Sequence, residues 1–171
     1  MPYTNTFTPG VIPNPYTGNA PGSAIAATTA LFKQLSTDDK LALLWFAYKE
    51  IGKGITPAAP GAARLQLAEG LLEQIKAMPQ EDQLCVMREL AENVNTPICR
   101  SYGVLSINTK LAFWYQLAEY MQEGTVIPVP VGYRLSAGAS RVLSDIIALD
   151  YGQQITFLRN SVVGMGVDPL A

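Results

Sequence analysis

The sequence predicts an all-α fold. Apolar residues recur at three- and four-residue spacing along most of the chain, and no segment alternates with the period of two that a half-buried strand requires. Short polar residues suited to helix caps recur between these stretches. The third observation concerns two segments, Leu41-Ala-Leu-Leu-Trp-Phe-Ala-Tyr48 and Leu111-Ala-Phe-Trp-Tyr-Gln-Leu-Ala118, which hold both tryptophans and are apolar nearly all round. An ordinary surface helix shows one apolar stripe and one solvated face. These two must bury two faces, so each lies between packed layers or between a core and an apolar guest.

The elements follow in order. Residues 1–22 hold five of the twelve prolines with Gly10, Gly18 and Gly22, which predicts an extended arm. A helix starts near Ser23 and carries Ile25, Leu31, Phe32 and Leu35. Ser36-Thr-Asp-Asp39 is a capping box, with Asp in the Glu/Gln place, that opens the first aromatic helix. That helix ends at Gly52 or Gly54, and Thr56-Pro-Ala-Ala-Pro-Gly61 is a linker. Leu65, Ala68, Leu72 and Ile75 mark the next helix; Pro79 starts another with Leu84, Met87 and Leu90 on one face, which Thr96-Pro97 breaks. A short turn at residues 98–102 leads to the second aromatic helix, 108–123, ended by Gly124. Val126-Ile-Pro-Val-Pro130 cannot be helical and crosses over as extended chain. Ser136 caps a helix with Val142, Leu143, Ile146 and Ile147, and Asp150 with Gln153 caps the last, with Ile155, Leu158, Val162 and Val163. The main domain is then 23–167, with a tail at 168–171. Each aromatic helix is followed by a glycine and a proline-bearing connection, a weak echo that suggests two related halves; chance resemblance between amphipathic helices explains it as well.

Composition excludes several functions. Charged residues are 15% of the 171-residue chain, against roughly 25% in ordinary soluble domains, and the formal net charge is −2. With no Lys/Arg cluster, nucleic acid is not an expected partner. The longest apolar run, residues 41–48, is too short to span a bilayer, so no transmembrane segment is expected. Without a signal-peptide pattern, the expected location is cytoplasmic. The absence of histidine removes Ser-His-Asp triads, Cys-His dyads and His-ligated metal sites. Cys85 and Cys99 are not paired as CxxC and read as small buried hydrophobes. Gly164-Met-Gly166 follows no strand, so a helix end explains it better than a phosphate loop. The acidic pairs Asp38/Asp39 and Glu81/Asp82 fall in first helical turns, where they complement the macrodipole. No enzymatic activity is expected.

On the first aromatic helix Leu41, Leu44, Trp45, Tyr48 and Ile51 form one stripe, and Leu43, Phe46 and Ala47 a second. On the other, Leu111, Trp114, Tyr115, Ala118 and Met121 share a side, with Phe113, Leu117 and Tyr120 elsewhere. Such stripes are core packing more often than a ligand channel. The flat rings and pliable methionines (Met87 and Met121) nevertheless suit a slot for a rigid, elongated, apolar molecule with few hydrogen-bonding needs. Both readings stand on the residues alone.

A resemblance decides between them. The first aromatic segment with Ala58-Ala-Pro-Gly-Ala-Ala63, then Thr96-Pro-Ile-Cys-Arg100 and Asn108-Thr-Lys-Leu-Ala-Phe-Trp-Tyr115, resembles the N-terminal domain of the cyanobacterial orange carotenoid protein family. So do Ile127-Pro-Val-Pro-Val-Gly-Tyr133, Leu135-Ser-Ala137 and Gly152-Gln-Gln-Ile-Thr-Phe-Leu-Arg-Asn160, giving a likeness over about residues 24–167. The resemblance implies two interleaved four-helix bundles enclosing an elongated tunnel for a ketocarotenoid such as canthaxanthin, echinenone or 3'-hydroxyechinenone. It implies photoprotection by quenching singlet oxygen or excited antenna pigment. Leu41, Leu44, Trp45, Tyr48 and Ile51 would form one wall, and Leu111, Trp114, Tyr115, Ala118 and Met121 the other. Met87, Val129, Tyr133, Ile155 and Val162 would complete the tunnel. Arg159 matches the arginine that meets the family's second domain or the phycobilisome; it is also the only charged residue between Asp150 and Asp168, with a solvated helix face as the bland alternative.

Three departures from the family pattern bear on function. The chain stops at Ala171, about where the family's linker begins, so it resembles the stand-alone helical carotenoid proteins and self-contained photoswitching is not expected. A constitutive phycobilisome quencher at the thylakoid surface, or a carrier for a separate C-terminal-domain homologue, is the alternative role. The prolines at 9, 13, 15 and 21 forbid the helix found there in the family; the arm either covers a tunnel mouth or is a tail. Leu84 and Arg88 stand where the family has smaller side chains, which alters the tunnel's width.

Overall fold

Helices here begin where a short polar side chain can hold the first free N–H groups. The computed structural model describes residues 21–52 and 65–171, and among them it has eight α-helices and no strand. They are α1 (Pro21–Gln34), α2 (Thr37–Ile51), α3 (Leu65–Lys76), α4 (Gln80–Glu92), α5 (Pro97–Gly103), α6 (Ile107–Glu123), α7 (Ala137–Ile147) and α8 (Tyr151–Val163). None of them is long and apolar enough to cross a membrane. The linker at 56–61 and the arm up to residue 20 lie outside the described residues.

Side-chain oxygens of Thr96, Ser106, Ser136 and Asp150 each accept from an N–H three residues on, opening α5, α6, α7 and α8. Each such cap stabilises its helix by about 1 kcal/mol. Asp150 and Gln153 form a full capping box. At α2 only half of the expected box forms: Ser36 Oγ accepts from Asp39 N–H at 3.2 Å, while the Asp39 carboxylate accepts from the Tyr133 hydroxyl at 3.0 Å instead. The tertiary contact outcompetes the local one because it anchors a loop that crosses the helix start. α1 runs over Pro21–Gln34 among the described residues and includes the expected start near Ser23. α6 starts a residue early, because Ser106 is its cap.

Helices α1, α2, α7 and α8 pack as one group of four and α3–α6 as another. The groups meet where α6 lies on α8 and where α2 lies on α4 and α6. The chain thus leaves the first bundle after α2, builds the second, and returns through residues 126–136. The bundles are interleaved, not the two sequential halves suggested by the weak echo. Phe32 and Phe157 join α1 to α8 edge to face, with ring centroids 5.7 Å apart. The inner faces of α2 and α6 are closed off entirely: Leu43, Phe113 and Leu117 are 0% exposed.

The returning crossover is held by one buried amide. Gln83, on α4, donates from Nε2 to the carbonyls of Ile75 and Thr125, both at 3.1 Å, and its Oε1 accepts from Ile127 N–H at 2.8 Å. Val126 beside it is fully buried. The segment after α8 is fixed in a similar way. Asn93 adopts φ 59° and donates to the carbonyls of Gly164 and Gly166, while Gly166 N–H donates to Leu90 O at 2.8 Å. Gly166 itself has φ 72°, and a Cβ there would lie 2.5 Å from the Tyr102 ring. Of the two thiols, Cys99 is buried as expected but Cys85 is exposed, because its position on α4 faces away from both bundles.

Replacing Gln83 with Leu strands the Thr125 carbonyl and the Ile127 N–H, which have no other partner among the described residues, while the Ile75 carbonyl keeps the Met78 N–H at 3.1 Å. Urea unfolding is expected to show a loss of about 2–4 kcal/mol. A loss below ~1 kcal/mol would show that water replaces the amide and that the crossover is not held by it.

Candidate functional site

A groove opens along the seam between the bundles. From α2 it takes Leu41, Ala42, Leu44, Trp45 and Tyr48, with Asp38 at one end. From α6 come Leu111, Trp114, Tyr115, Leu117, Ala118 and Met121, and from α4 Leu84, Met87 and Arg88. The crossover adds Ile127, Pro128, Val129, Pro130 and Tyr133, and α8 adds Leu158 and Val162. The cavity measures about 180 Å³ within about 1070 Å³ of atom-free space that includes its open mouth. At 1.5 Å per residue the α2 wall from Asp38 to Tyr48 is roughly 15 Å long.

The division of faces on α2 follows from its periodicity. Leu43 and Ala47 are fully buried against the first bundle, while Leu41, Leu44, Trp45 and Tyr48 are half-buried on the groove. Three aromatic rings cluster at the far end from Asp38. Trp45 stacks on Tyr48 at 5.8 Å with 27° between planes, and Tyr48 meets Tyr115 edge to face at 5.4 Å. Both phenols point their hydroxyls at Glu119, behind the wall; Tyr48 donates a short hydrogen bond to Oε1. Trp114 is turned by an inward chain: its indole N–H donates to the Tyr102 hydroxyl at 3.0 Å, which donates to the Val162 carbonyl at 2.7 Å. With its nitrogen committed to the core, Trp114 shows the groove only hydrocarbon.

At the other end a charged pair borders the groove. Arg88 donates from Nε to Asp38 Oδ1 at 2.8 Å and from Nη2 to Oδ2 at 3.0 Å, joining α4 to α2. This hydrogen-bonded guanidinium holds the Asp38 carboxyl below its usual pKa. Next to it the Tyr133 hydroxyl is taken by Asp39.

Of the residues expected to form the tunnel, Leu41, Leu44, Trp45, Tyr48, Met87, Leu111, Trp114, Tyr115, Ala118, Met121, Val129, Tyr133 and Val162 line the groove. Ile51 and Ile155 do not. Ile51 is the last residue of α2, nearly a turn past Tyr48, and packs on the core. Ile155 shares a face with Val162 but sits seven residues, roughly 10 Å, nearer the start of α8. The correct α8 residue, Leu158, is four before Val162 and was findable from helical spacing. Ala42, Leu117, Ile127, Pro128 and Pro130 carry no such signal, because only the packing of α2, α6 and the crossover turns them inward. Arg159 is half-buried on α8 and does not reach the groove; its Nε is buried with no hydrogen-bond partner among the described residues.

Comparison with known proteins accords with this geometry. The family described as orange carotenoid protein, N-terminal, matches residues 19–168. An orange carotenoid-binding domain-containing protein of Nostoc sp. strain PCC 7120 is 61% identical over 150 residues, spanning 88% of each chain. The orange carotenoid-binding protein of Synechocystis sp. is 50% identical over 97% of this chain, which spans only 51% of that protein's length. Among solved structures, the red carotenoid protein of Anabaena (Nostoc) sp. PCC 7120 binding canthaxanthin superposes with a TM-score of 0.75 at 37% identity, over 84% of this chain and 99% of that one.

Burial raises the phenol pKa values of Tyr48, Tyr102, Tyr115 and Tyr133 above the ordinary tyrosine value, with Glu119 adding to the effect at Tyr48 and Tyr115 and Asp39 at Tyr133. A raised folded pKa means that the unfolded chain ionises first. Their contribution to stability is therefore complete below about pH 10 and is lost as pH rises further. An absorbance titration should show the tyrosinates of these four appearing late and together with loss of helicity. Ionisation of all eight tyrosines near pH 10 in a still-helical protein would contradict this burial.

Proposed function

The chain belongs to the orange carotenoid protein N-terminal family, and we propose that it holds one ketocarotenoid, without a covalent bond, in the groove between α2 and α6. Canthaxanthin, echinenone and 3'-hydroxyechinenone are the candidate pigments; canthaxanthin is the one bound by the red carotenoid protein that matches this chain along nearly its whole length. The observation that carries the reading is that both tryptophans and the Tyr48/Tyr115 pair line one apolar groove, from α2 on one side and α6 on the other. A core needs no such arrangement of flat rings along a slot.

The residues fit the guest. A carotenoid is about 30 Å long, so a groove of roughly 15 Å along α2 would enclose one ring and about half of the polyene, the remainder passing through the mouth. Burying ~400 Å² of hydrocarbon at ~25 cal/mol per Å² gives on the order of 10 kcal/mol before the costs of association. Trp45, Tyr48, Trp114 and Tyr115 would stack on the pigment and hold it planar, with Leu41, Leu44, Ile127, Val129 and Val162 packing along its length. Met87 and Met121 are pliable enough to follow its methyl groups. The bound pigment supplies a low-lying triplet state that accepts energy from singlet oxygen; the protein's part is to bind, flatten and disperse it. Singlet-oxygen quenching is the role we assign.

A second reading rests on Arg159. This guanidinium lies outside the groove and is only half-buried, so the part of it that meets solvent can reach an acceptor on another molecule. It would serve docking to a phycobilisome, or to a C-terminal-domain homologue that exchanges pigment with this one.

Protein produced in ketocarotenoid-making cells is expected to purify coloured; a colourless product, with no pigment on extraction, would overturn the proposal. Trp114→Ser should lower pigment occupancy several-fold with helicity retained. Unchanged occupancy per folded molecule would make that residue core alone. Added to isolated phycobilisomes, a pure singlet-oxygen quencher leaves their fluorescence unchanged. Lost fluorescence that Arg159→Leu restores would favour docking.

A further inference from the structure

The wall of the groove is polar at one end only. At the aromatic end the Tyr48 and Tyr115 hydroxyls are both directed to Glu119, and in the middle the Trp114 N–H is committed to Tyr102. At the crossover end the Tyr133 hydroxyl is committed to Asp39. The Arg88–Asp38 pair differs. Guanidinium carries five N–H donors, and the bidentate pair engages one on Nε and one on Nη2, leaving three. The Asp38 carboxylate keeps lone pairs too, since each oxygen accepts one bond here. Both groups border the groove, and their side chains are 44% and 47% exposed, so they are reachable by a guest.

We infer that the Arg88–Asp38 pair is the end-group site of the groove: it selects a carotenoid with an oxygenated terminal ring and seats that ring at the crossover end, leaving the aromatic end to a hydrocarbon ring or to the bare polyene. This rests on the proposal that the groove holds a carotenoid. A ring ketone would accept from a spare Arg88 N–H, and a ring hydroxyl could in addition donate to Asp38. Elsewhere along the wall a ring oxygen would lose its water without gaining a donor, which is unfavourable. The bidentate pair fixes the guanidinium plane, so the donors are presented in a set direction with little further loss of side-chain freedom. Among the side chains that line the groove, one neutral donor stands outside this scheme: the Trp45 indole, at the aromatic end, makes no hydrogen bond among the described residues. It is the rival site.

The test supplies the purified, pigment-free protein with equimolar β-carotene, which has no oxygen, and canthaxanthin, which has a ketone on each ring, and measures the ratio bound by extraction. Wild type should favour canthaxanthin, by roughly fivefold for one partly exposed charged hydrogen bond. Arg88→Leu should bring that ratio near one while β-carotene uptake persists, and Arg88→Lys, which keeps a donor, should restore part of it. Circular dichroism on each variant checks that the helices are intact, and β-carotene uptake checks that the groove is. A ratio unchanged in Arg88→Leu would overturn the assignment, as would a ratio erased by Trp45→Phe and not by Arg88→Leu. Wild type that binds both pigments equally would overturn it too. Wild type that binds neither would instead overturn the carotenoid reading itself.

Discussion

Helices α2 and α6 carry more apolar surface than one core can cover, and the rest of the structure is arranged around that excess. Their inner faces are sealed, with Leu43, Phe113 and Leu117 wholly removed from solvent. Their other faces meet across a seam and do not close it. Two interleaved bundles are the arrangement that lets each helix serve a core on one side and a shared groove on the other. The crossover at 126–136 roofs this seam, and it can do so only because Gln83 satisfies its main chain from beneath. Within the crossover the one bond between its own main-chain groups runs from the Tyr133 N–H to the Pro130 carbonyl, so without that amide the Thr125 carbonyl and the Ile127 N–H would be left unpaired.

The polar groups nearest the groove are handled in one consistent way. Tyr102 takes the nitrogen of Trp114, Glu119 takes the two phenols, and Asp39 takes Tyr133. Each hydrogen bond points away from the cavity, which leaves ring faces and methyl groups as its lining. The same bonds fix ring orientation, and this matters for a guest whose colour depends on planarity. The Arg88–Asp38 pair breaks the pattern at one end and makes the groove directional.

Much of this was legible in the residues. The spacing of Leu41, Leu44, Trp45 and Tyr48 against Leu43 and Ala47 already separated two apolar faces on α2, and the family resemblance assigned the first of them to a guest. The same holds for Trp114, Tyr115 and Ala118 against Phe113 on α6. Caps at Ser136 and Asp150 were readable because they act within one turn. What failed to show was tertiary. Asp39 looked like the second half of a capping box until Tyr133, far along the chain, took its carboxylate. Ile155 fell on the correct face of α8 at the wrong height, because periodicity fixes an angle around the axis and says nothing about position along it. Asp38 read as a first-turn charge on the helix dipole and Arg88 as a side chain that alters the tunnel's width; their pairing did not show, since only the crossing of α4 over α2 brings them together.

The central claim is that the outer faces of α2 and α6 belong to a pigment, and tryptophan fluorescence tests it directly. The chain has two tryptophans and both line the groove. Titrating a ketocarotenoid into pigment-free protein should quench nearly all of the emission, with the break at one pigment per chain, because a polyene in contact with an indole accepts its excitation. Bound pigment that leaves the emission of either tryptophan intact would place the carotenoid elsewhere and return both aromatic helices to the role of packing alone.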